Sequence, residues 1–408
     1  MDYVILGNSA AAVGCIEGIR AVDPVGKITV IASEKYHTYS RPLISYLLEG
    51  KTDLERMKYR PDSYYKDLGV EAKLGEKAVA LKPQEHKVVL EDGQQISYDK
   101  LLVATGSTPF VPPMEGLETV EKKFTFLSLD DAKALETALT PDSRVLIVGA
   151  GLIGLKCAEG IANRVKSVEI ADLASQVLPS ILDQEGAARV QRHLESQGLT
   201  FYLGDTAQKF EGHTAHLKSG RKVEFDLLVL AVGVRPNTSL VKDAGGSVNR
   251  GIVTDDSGLT SLPDIYAAGD CCESHDITSG EHRVLALLPN AYFQGECAGR
   301  SMAGEDSHFT KAAPMNAIGF FGLHLITAGS YQGEKLVTQD EKNYKALFVE
   351  DGLLKGFILV GDCLENAGIY TALMRDRVPL DTVDFQLLQE RPQFLAFSAE
   401  KRRELFGR

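Results

Sequence analysis

Short apolar runs, each followed closely by glycine or an acidic residue, recur along the first half of the chain. The runs at 2–6 (DYVIL), 27–32 (KITVIA) and 145–148 (VLIV) are almost wholly apolar and rich in β-branched residues. Such runs predict parallel strands that are covered on both faces. A small-residue turn and a helix follow two of them, so the pattern predicts an α/β fold.

The pattern changes after about residue 309. Strand-like segments at 344–350 (YKALFVE) and 355–362 (KGFILVGD) precede helical segments at 367–375 and 385–388. We therefore expect a C-terminal part of α+β character. No apolar run approaches the length of about 18 residues that a membrane span requires, so no span is expected.

The glycine-rich turn at 149–154 is the most informative stretch of the chain. Gly149, Gly151 and Gly154 fill the pattern G-x-G-x-x-G between a predicted strand and a predicted helix. These glycines permit a tight turn and the close approach of a pyrophosphate, which the helix N-terminus attracts. Asp172 ends the next apolar stretch, SVEIAD, at the distance expected of the acid that holds an adenosine ribose. The pattern predicts a dinucleotide site.

A second fingerprint, in altered form, opens the chain. Gly7 starts the turn GNSAAA, and Ser9 and Ala12 stand where further glycines are usual. Both are small enough to let a phosphate and a helix come close. Glu34 follows the next strand and is placed to accept hydrogen bonds from ribose hydroxyls. Two fingerprints imply two bound nucleotides.

Composition and charge restrict the partners, the cellular location and the metal content to be expected of this chain. The 408 residues suffice for two or three domains, and 44% hydrophobic with 25% charged residues is typical of a soluble globular protein. A net charge of −12 argues against nucleic acid or an anionic membrane as partner. A strand begins at once after Met1 without a signal segment, so we expect a cytoplasmic protein. The nine histidines and six cysteines show no metal-binding spacing, and we expect no metal site.

Four further motifs carry a family resemblance. They are LLVATGSTP (101–109), LLVLAVGVRPN (227–237), TSLPDIYAAGD (260–270) and PNAYFQG (289–295). With the two fingerprints, they make the chain resemble the flavoproteins of the pyridine nucleotide-disulfide oxidoreductase family. The resemblance implies FAD and NADH as cofactors. It also implies that Asp270 binds the ribityl chain and that the helix starting at 289 stabilises negative charge on the reduced ring.

The resemblance also implies an architecture of the glutathione-reductase type, with two Rossmann-like domains and a C-terminal α+β interface domain. The FAD domain would comprise 1–110 and 236–308, the NAD domain 111–235, and the interface domain 309–408. The residues expected to contact FAD are Gly7, Ser9, Ala10, Ala11, Glu34, Lys35, Arg41, Pro42, Val79, Ala104, Thr105, Gly106, Asp270 and Ala291. Those expected to contact NADH are Gly149, Gly151, Leu152, Ile153, Asp172 and Gly233.

The sequence of the loop at 39–46 indicates the class of electron acceptor. Disulfide reductases of the family place cysteines beside the flavin, and this loop has none. Its Y-S-R-P sequence is similar to that of rubredoxin reductases, ferredoxin reductases of oxygenase systems and the flavin domain of nitrite reductase. Arg41 should lie against the flavin or its pyrophosphate. We expect His37, in the same region, to make a structural hydrogen bond.

One pair of positions departs from these relatives. Ferredoxin reductases have a lysine after the R-P pair and a glutamate two residues past the third glycine of the nicotinamide turn. This chain has Tyr46 and Lys156 there. As a hypothesis, Lys156 supplies the charge beside the flavin and is, with Arg41, a catalytic residue. A lysine on a solvated helix face is the alternative.

Asp172 also bears on which nicotinamide cofactor is used. Asp172 would accept from a free 2′-hydroxyl and repel a 2′-phosphate, so NADH should be preferred over NADPH.

Cys271 and Cys272 follow Asp270 directly. We expect inert packing for both, with a redox role as the less favoured alternative.

The leading interpretation is an NADH-dependent FAD oxidoreductase that delivers electrons to rubredoxin, a ferredoxin or an iron–sulfur partner subunit. One alternative is an NADH oxidase or a reductase of a small molecule such as a quinone or oxygen. Another is an NADH-sensing interaction protein. A homodimer is possible. Acidic iron–sulfur carriers need a basic docking patch, for which the sequence offers Lys122, Lys123, Arg164, Lys166 and Arg300.

Overall fold

The structure, a computed structural model, describes residues 1–406. It divides into two compact units, each built from two stretches of the chain. The first unit comprises Met1–Thr108 and Val234–Ala312, and the second comprises Pro109–Gly233 and the chain from Ala313 onward.

The elements before residue 234 follow in chain order. Up to the first crossing they are β1 (Asp2–Leu6), α1 (Ala10–Val22), β2 (Lys27–Ala32), α2 (Ile44–Leu48), α3 (Tyr64–Asp67), β3 (Val70–Leu74), β4 (Ala78–Lys82), β5 (Lys87–Leu90), β6 (Gln95–Ser97), β7 (Lys100–Val103) and β8 (Ser107–Pro109). The next stretch contains β9 (Lys123–Phe124), α4 (Leu129–Ala138), β10 (Arg144–Val148), α5 (Leu152–Ile161), β11 (Ser167–Asp172), α6 (Gln184–Ser196), β12 (Thr200–Leu203), β13 (Ala207–Glu211), β14 (Thr214–Leu217), β15 (Lys222–Glu224) and β16 (Leu227–Leu230).

The remaining elements complete both units. Those of the first unit are β17 (Val234–Pro236), α7 (Ser239–Asp243), β18 (Ile265–Ala267), β19 (Ser274–His275), β20 (His282–Arg283) and α8 (Leu288–Met302). Those of the second are β21 (Met315–Phe320), β22 (Leu323–Gly329), β23 (Glu334–Gln339), β24 (Tyr344–Glu350), β25 (Leu353–Val360), α9 (Ala367–Arg375), α10 (Phe385–Glu390) and α11 (Ala399–Phe406).

The first unit is built on a parallel sheet of order β18-β7-β1-β2-β3. Its central strand β1 alternates between two apolar clusters: Tyr3 and Ile5 pack with α1, whereas Val4 and Leu6 pack with the β4-β5-β6 layer. Apolar layers on both faces explain why β1 reads as an uninterrupted apolar run. The carboxyl ends of these strands form one edge, where ligands bind in such sheets.

Helices α1 and α8 of the first unit pack with their backbones in close contact. A Cβ atom at Gly14 would lie 2.1 Å from the carbonyl oxygen of Tyr292, and one at Gly299 would lie 2.3 Å from that of Cys15. Glycine is therefore required on both helices. The contact fixes the start of α8 beside the turn that precedes α1.

The second unit contains a second parallel sheet of order β12-β11-β10-β16-β9. An antiparallel sheet of order β21-β22-β25-β24-β23 forms its C-terminal part, and α9 packs on that sheet. The strands expected at 2–6, 27–32 and 145–148 and the helix expected at 367–375 are confirmed. The α/β fold with an α+β C-terminal part is confirmed as well.

Two strands pair where the chain leaves and re-enters the first unit, β8 with β17. Next to them, the hydroxyl of Thr105 donates to the carbonyl oxygen of Asn237 at 3.0 Å, and Nδ2 of Asn237 donates to the carbonyl oxygen of Thr105 at 2.8 Å. This reciprocal pair joins the two family motifs at 101–109 and 227–237. Among residues 1–406, no helix combines the length and apolarity needed to cross a bilayer.

Candidate flavin and nicotinamide sites

The turn between β1 and α1 has the geometry of a phosphate-binding loop. Gly7 has φ +121°, and a Cβ atom there would lie 2.1 Å from the carbonyl oxygen of Ala104. A side chain is therefore excluded. Helix α1 begins at Ala10, and Ala10 and Ala11 are buried. Backbone N–H groups of this first turn have no intrahelical acceptor and are suited to an anion.

Glu34 forms a compact cluster with two residues of the cysteine-free loop. Its Oε1 accepts from Nη2 of Arg41 at 2.5 Å and its Oε2 accepts from the hydroxyl of Tyr39 at 2.6 Å. Arg41 also donates to that hydroxyl at 3.2 Å and lies over the Tyr39 ring. The sequence predicted Glu34 and Arg41 as separate ligands and missed Tyr39 as their link. Together, Arg41 and Tyr39 fix the orientation of the Glu34 carboxylate.

Asp270 lies at the edge of the same sheet. Burial raises the pKa of its carboxyl group above the usual 3.8, and the charge of Arg41 partly opposes this. The preceding Gly269 donates its N–H to Oε1 of Gln294 at 2.7 Å, which ties the Asp270 turn to α8. Ala291, also on α8, is buried near Gly269.

A network of polar residues supports the phosphate turn. The hydroxyl of Tyr65 donates to Oδ1 of Asn8 at 2.8 Å and accepts from the N–H of Thr38 at 3.2 Å. Thr38 is fully buried, and its hydroxyl has no hydrogen-bond partner among the described residues. His37 hydrogen-bonds the Thr38 carbonyl oxygen through Nδ1 at 3.1 Å, which is the structural role expected of it. An orphaned buried hydroxyl in the same loop as Tyr39 fits a site that holds a polar ligand.

The other predicted flavin residues are distributed along the same unit. Ser9 precedes α1, Lys35 and Pro42 are exposed, and Val79 on β4 is 45% exposed. Thr105 and Gly106 follow β7 and both bond Asn237. Glycine cradles, paired charges and a buried orphan hydroxyl at one sheet edge are all compatible with FAD.

The turn between β10 and α5 repeats this geometry in the second unit. Gly149 has φ +120°, and a Cβ atom there would lie 2.3 Å from the carbonyl oxygen of Ala231. A Cβ atom on Gly154 would lie 2.0 Å from the carbonyl oxygen of Gly149. Helix α5 begins at Leu152, followed by Ile153. Gly233 closes the facing loop with φ +108°.

Asp172 has a structural task that the sequence did not reveal. Its Oδ2 accepts from the N–H of Ala150 at 2.6 Å and its Oδ1 from the N–H of Ala174 at 2.7 Å. The carboxylate thus fixes both the glycine turn and the loop after β11. Leu173 next to it is 65% exposed. The remaining lone pairs of the carboxylate can still accept from a ribose.

Lys156 is not on a solvated helix face, so that alternative is wrong. Its side chain is 14% exposed, pairs with the carboxylate of Glu159 and donates to the carbonyl oxygen of Gly319 at 3.2 Å. Glu159 carries no pattern that singles it out in the sequence. Besides Lys156, Glu159 accepts from the N–H of Phe321, which is 162 residues away in the chain, and this explains why sequence reasoning missed it.

The cysteines are not paired with one another. Cys271 and Cys272 are buried free thiols that donate to carbonyl oxygens of their surroundings. Burial raises the pKa of Cys271 to about 11 and that of Cys272 well above 9. Both are therefore held as thiols at neutral pH, which favours inert packing. Within residues 1–406, the His, Cys, Asp and Glu side chains form no group of three able to hold a metal ion.

Comparison with known proteins decides the family. Residues 1–295 match the profile described as pyridine nucleotide-disulphide oxidoreductase. The chain belongs to this family. The expectation of a pyridine nucleotide-disulphide oxidoreductase that uses FAD and NADH is confirmed.

Two curated relatives and one solved structure illustrate the similarity. The assimilatory nitrate reductase electron transfer subunit of Bacillus subtilis (strain 168) is 32% identical over 389 residues, covering 92% of this chain and 49% of the relative. The NADH-dependent phenylglyoxylate dehydrogenase subunit epsilon of Aromatoleum evansii is 31% identical over 393 residues, covering 93% of each. This chain thus spans about half the length of the Bacillus protein.

The structure of a covalent putidaredoxin reductase–putidaredoxin complex contains a chain that superposes with a TM-score of 0.87. That chain is 24% identical, and the match covers 95% of each chain. This likeness confirms the fold expected of two Rossmann-like domains with a C-terminal domain.

Proposed function

We propose that this oxidoreductase passes electrons from NADH, through FAD, to a small iron–sulfur carrier such as rubredoxin or a ferredoxin, or to an iron–sulfur partner subunit. Bound FAD supplies a centre that takes up two electrons from NADH and can release them one at a time. The chain's own residues bind and orient the two nucleotides and set the charge around them.

The first unit is proposed as the FAD domain. The N–H groups at 7–11 would hold the pyrophosphate, Glu34 the adenosine ribose and Asp270 the ribityl chain. Arg41 pairs with Glu34 and also feels the negative charge of Asp270. Its guanidinium would neutralise the pyrophosphate and keep Glu34 in place. In the second unit, the turn at 149–154 and Asp172 would hold NADH, and the chain from residue 309 would form an interface domain.

The observation that carries the proposal is the loop beside Glu34. It presents the Tyr39–Arg41 pair and no thiol, whereas Cys271 and Cys272 are held protonated in the core. Electrons would therefore leave the flavin without passing through sulfur. The names of both curated relatives, an electron transfer subunit and a subunit of an NADH-dependent dehydrogenase, support delivery to a partner.

Anaerobic rapid mixing tests this function. NADH should bleach the flavin absorbance within milliseconds to seconds, and oxidised rubredoxin or ferredoxin from the same source should restore it. Alkylation of the accessible thiols beforehand should leave both rates unchanged. Transfer to no iron–sulfur protein, or loss of transfer after alkylation, would contradict the proposal.

The same experiment separates the alternatives. Steady oxygen or quinone consumption at rates above carrier reduction would indicate an NADH oxidase or small-molecule reductase. Slow reduction with a long-lived charge-transfer band would indicate an NADH-sensing protein. A cytoplasmic location and a homodimer remain expectations, which fractionation and light scattering would check.

Two of the five cations expected in a basic docking patch pair with carboxylates of their own units. Arg300 lies in the first unit and pairs with Glu296 and Glu305, and Arg164 lies in the second unit and pairs with Glu136. Paired charges of this kind contribute little net positive potential. Cross-linking to an oxidised carrier would map the docking surface for the acceptor.

A further inference from the structure

The tip of the hairpin between β21 and β22 has an unfavourable backbone. Phe321 and Gly322 have φ of +47° and +87°, the combination of a type I′ turn. Asparagine or aspartate usually occupies the first of these positions, because a bulky side chain is disfavoured at positive φ. A phenylalanine there persists only where the surroundings hold the turn in place.

Three polar side chains of the nucleotide-binding part of the second unit hold this tip. Oε1 of Glu159 accepts from the N–H of Phe321 at 2.6 Å, and Nζ of Lys156 donates to the carbonyl oxygen of Gly319 at 3.2 Å. From α6, Nε2 of His193 donates to the carbonyl oxygen of Phe320 at 3.0 Å. The hairpin tip is thus bonded at three consecutive residues.

Glu159 bonds both to the hairpin tip and to Lys156. One carboxylate oxygen accepts from the hairpin, and the other pairs with the ammonium group of Lys156, which also lies over the ring of Phe320. The side chains of Glu159 and Lys156 are only 6% and 14% exposed. Neutralising one member of a buried pair changes the position and the electrostatic effect of the other, so Glu159 influences both for Lys156.

We propose that Glu159 is a positioning residue that fixes Lys156 and, through the Phe321 turn, joins helix α5 to the C-terminal sheet. The part of the proposal that concerns the flavin rests on the hypothesis, drawn from the sequence, that Lys156 supplies charge to it. Glu159 thereby offsets part of the charge of Lys156 and ties helix α5 to the tip of the C-terminal hairpin.

Hydrogen exchange of the holoenzyme tests the contact with the hairpin. In Glu159→Ala, the amide of Phe321 loses its acceptor and should exchange about 10- to 100-fold faster. Glu159→Gln retains an acceptor oxygen and should change that rate by less than about fivefold. Glu136→Ala, which removes an exposed carboxylate of the same unit, is the matched control and should leave the hairpin amides unchanged.

The flavin midpoint potential tests the positioning of Lys156. Glu159→Gln removes the negative charge of Glu159 from beside the ammonium of Lys156, which favours the reduced flavin, so the potential should rise. Lys156→Met should lower it, and Glu159→Asp, which keeps the charge, should return it towards the parent value.

Each failure has its own signature. Unchanged exchange of the Phe321 amide in Glu159→Ala overturns the proposal. A potential that moves in Lys156→Met but not in Glu159→Gln overturns the positioning role while the role of Lys156 stands. A potential that moves in neither variant overturns the role of Lys156 at the flavin and, with it, the positioning role of Glu159. Electron delivery to a carrier is measured separately and is unaffected by that outcome.

Discussion

Individual carboxylates proposed to bind nucleotides in this oxidoreductase also have structural tasks. Asp172 bonds two backbone N–H groups and is also the residue that would meet the adenosine ribose. Glu34 is held by Arg41 and Tyr39 before it could meet a ligand. Substitutions at these positions therefore change both geometry and charge, and controls must separate the two.

Nicotinamide specificity should respond to Asp172 and Leu173 together. Asp172→Ala removes the charge that repels a 2′-phosphate, and Leu173→Arg places a cation at an exposed neighbouring position. We expect the ratio of kcat/KM for NADPH to that for NADH to rise about 10- to 100-fold, the equivalent of one charge-assisted hydrogen bond.

Leu173→Ala is the control for the arginine and should leave the ratio near that of the parent. Asp172→Asn, which keeps one acceptor oxygen for the N–H groups of Ala150 and Ala174, separates the loss of charge from the loss of geometry. Steady-state kinetics with both donors provide the measurement. Comparable efficiency with NADH and NADPH in the parent would refute the assignment of Asp172.

The charged form of Asp270 should lower the stability of the protein while it strengthens the binding of FAD. Burial raises its pKa above 3.8, so the native state holds a proton more tightly than the unfolded state. Its contribution to stability is therefore lost as pH rises through and above 3.8. Asp270→Asn should stabilise the flavin-free protein at pH 7 more than at pH 4.5, as measured by urea unfolding.

The same variant should bind FAD about 10- to 100-fold more weakly, because a charge-assisted hydrogen bond is lost. Flavin fluorescence during titration measures this affinity. Equal affinity in the two proteins would show that Asp270 does not contact the cofactor.

At the scale of secondary-structure elements, glycines set the contact between α1 and α8. Gly14→Ala would place a Cβ atom 2.1 Å from the carbonyl oxygen of Tyr292. The helices must separate, which should cost about 1–3 kcal/mol of unfolding free energy and weaken FAD retention.

Gly368→Ala is the matched control. It also lies in a helix, α9, but a Cβ atom there meets nothing within 4 Å. It should leave stability unchanged or raise it slightly. Urea unfolding of both variants provides the comparison, and equal stabilities would disprove the packing argument.

The elements were predictable from the sequence to the degree that their signals are local. The apolar runs placed β1, β2 and β10 almost to the residue, and the glycine turns located α1 and α5. The bond between Glu159 and Phe321 joins residues 162 positions apart. No periodicity marks such a pair, because one buried carboxylate on a helix face resembles any other polar residue.

The same limit applies to Tyr39 and Thr38. Both lie in a loop whose composition indicated function, but the acceptor of the Tyr39 hydroxyl and the orphan hydroxyl of Thr38 depend on how the loop closes on Glu34. Loop conformation is set by tertiary contacts rather than by local propensity.

At the scale of the whole molecule, each unit should be stabilised by the nucleotide that it is proposed to bind. FAD at about 100 times its Kd should add about 2.7 kcal/mol to the stability of the first unit. We expect slower amide exchange in β1 and β2 with FAD, and in β10 and β11 with ADP-ribose. Equal protection of all four strands by FAD alone would show that the two units unfold as one.

The pairing of β8 with β17 makes the second sheet an insertion within the first unit, and this has a consequence for biosynthesis. At translation speeds of about 5–20 residues per second, roughly 10–60 s separate the emergence of α1 from that of α8. Throughout that interval the nascent first unit lacks β18 and α8, the helix that packs against α1. A chaperone that shields the apolar surface of α1 would thus act before the cofactor can be loaded.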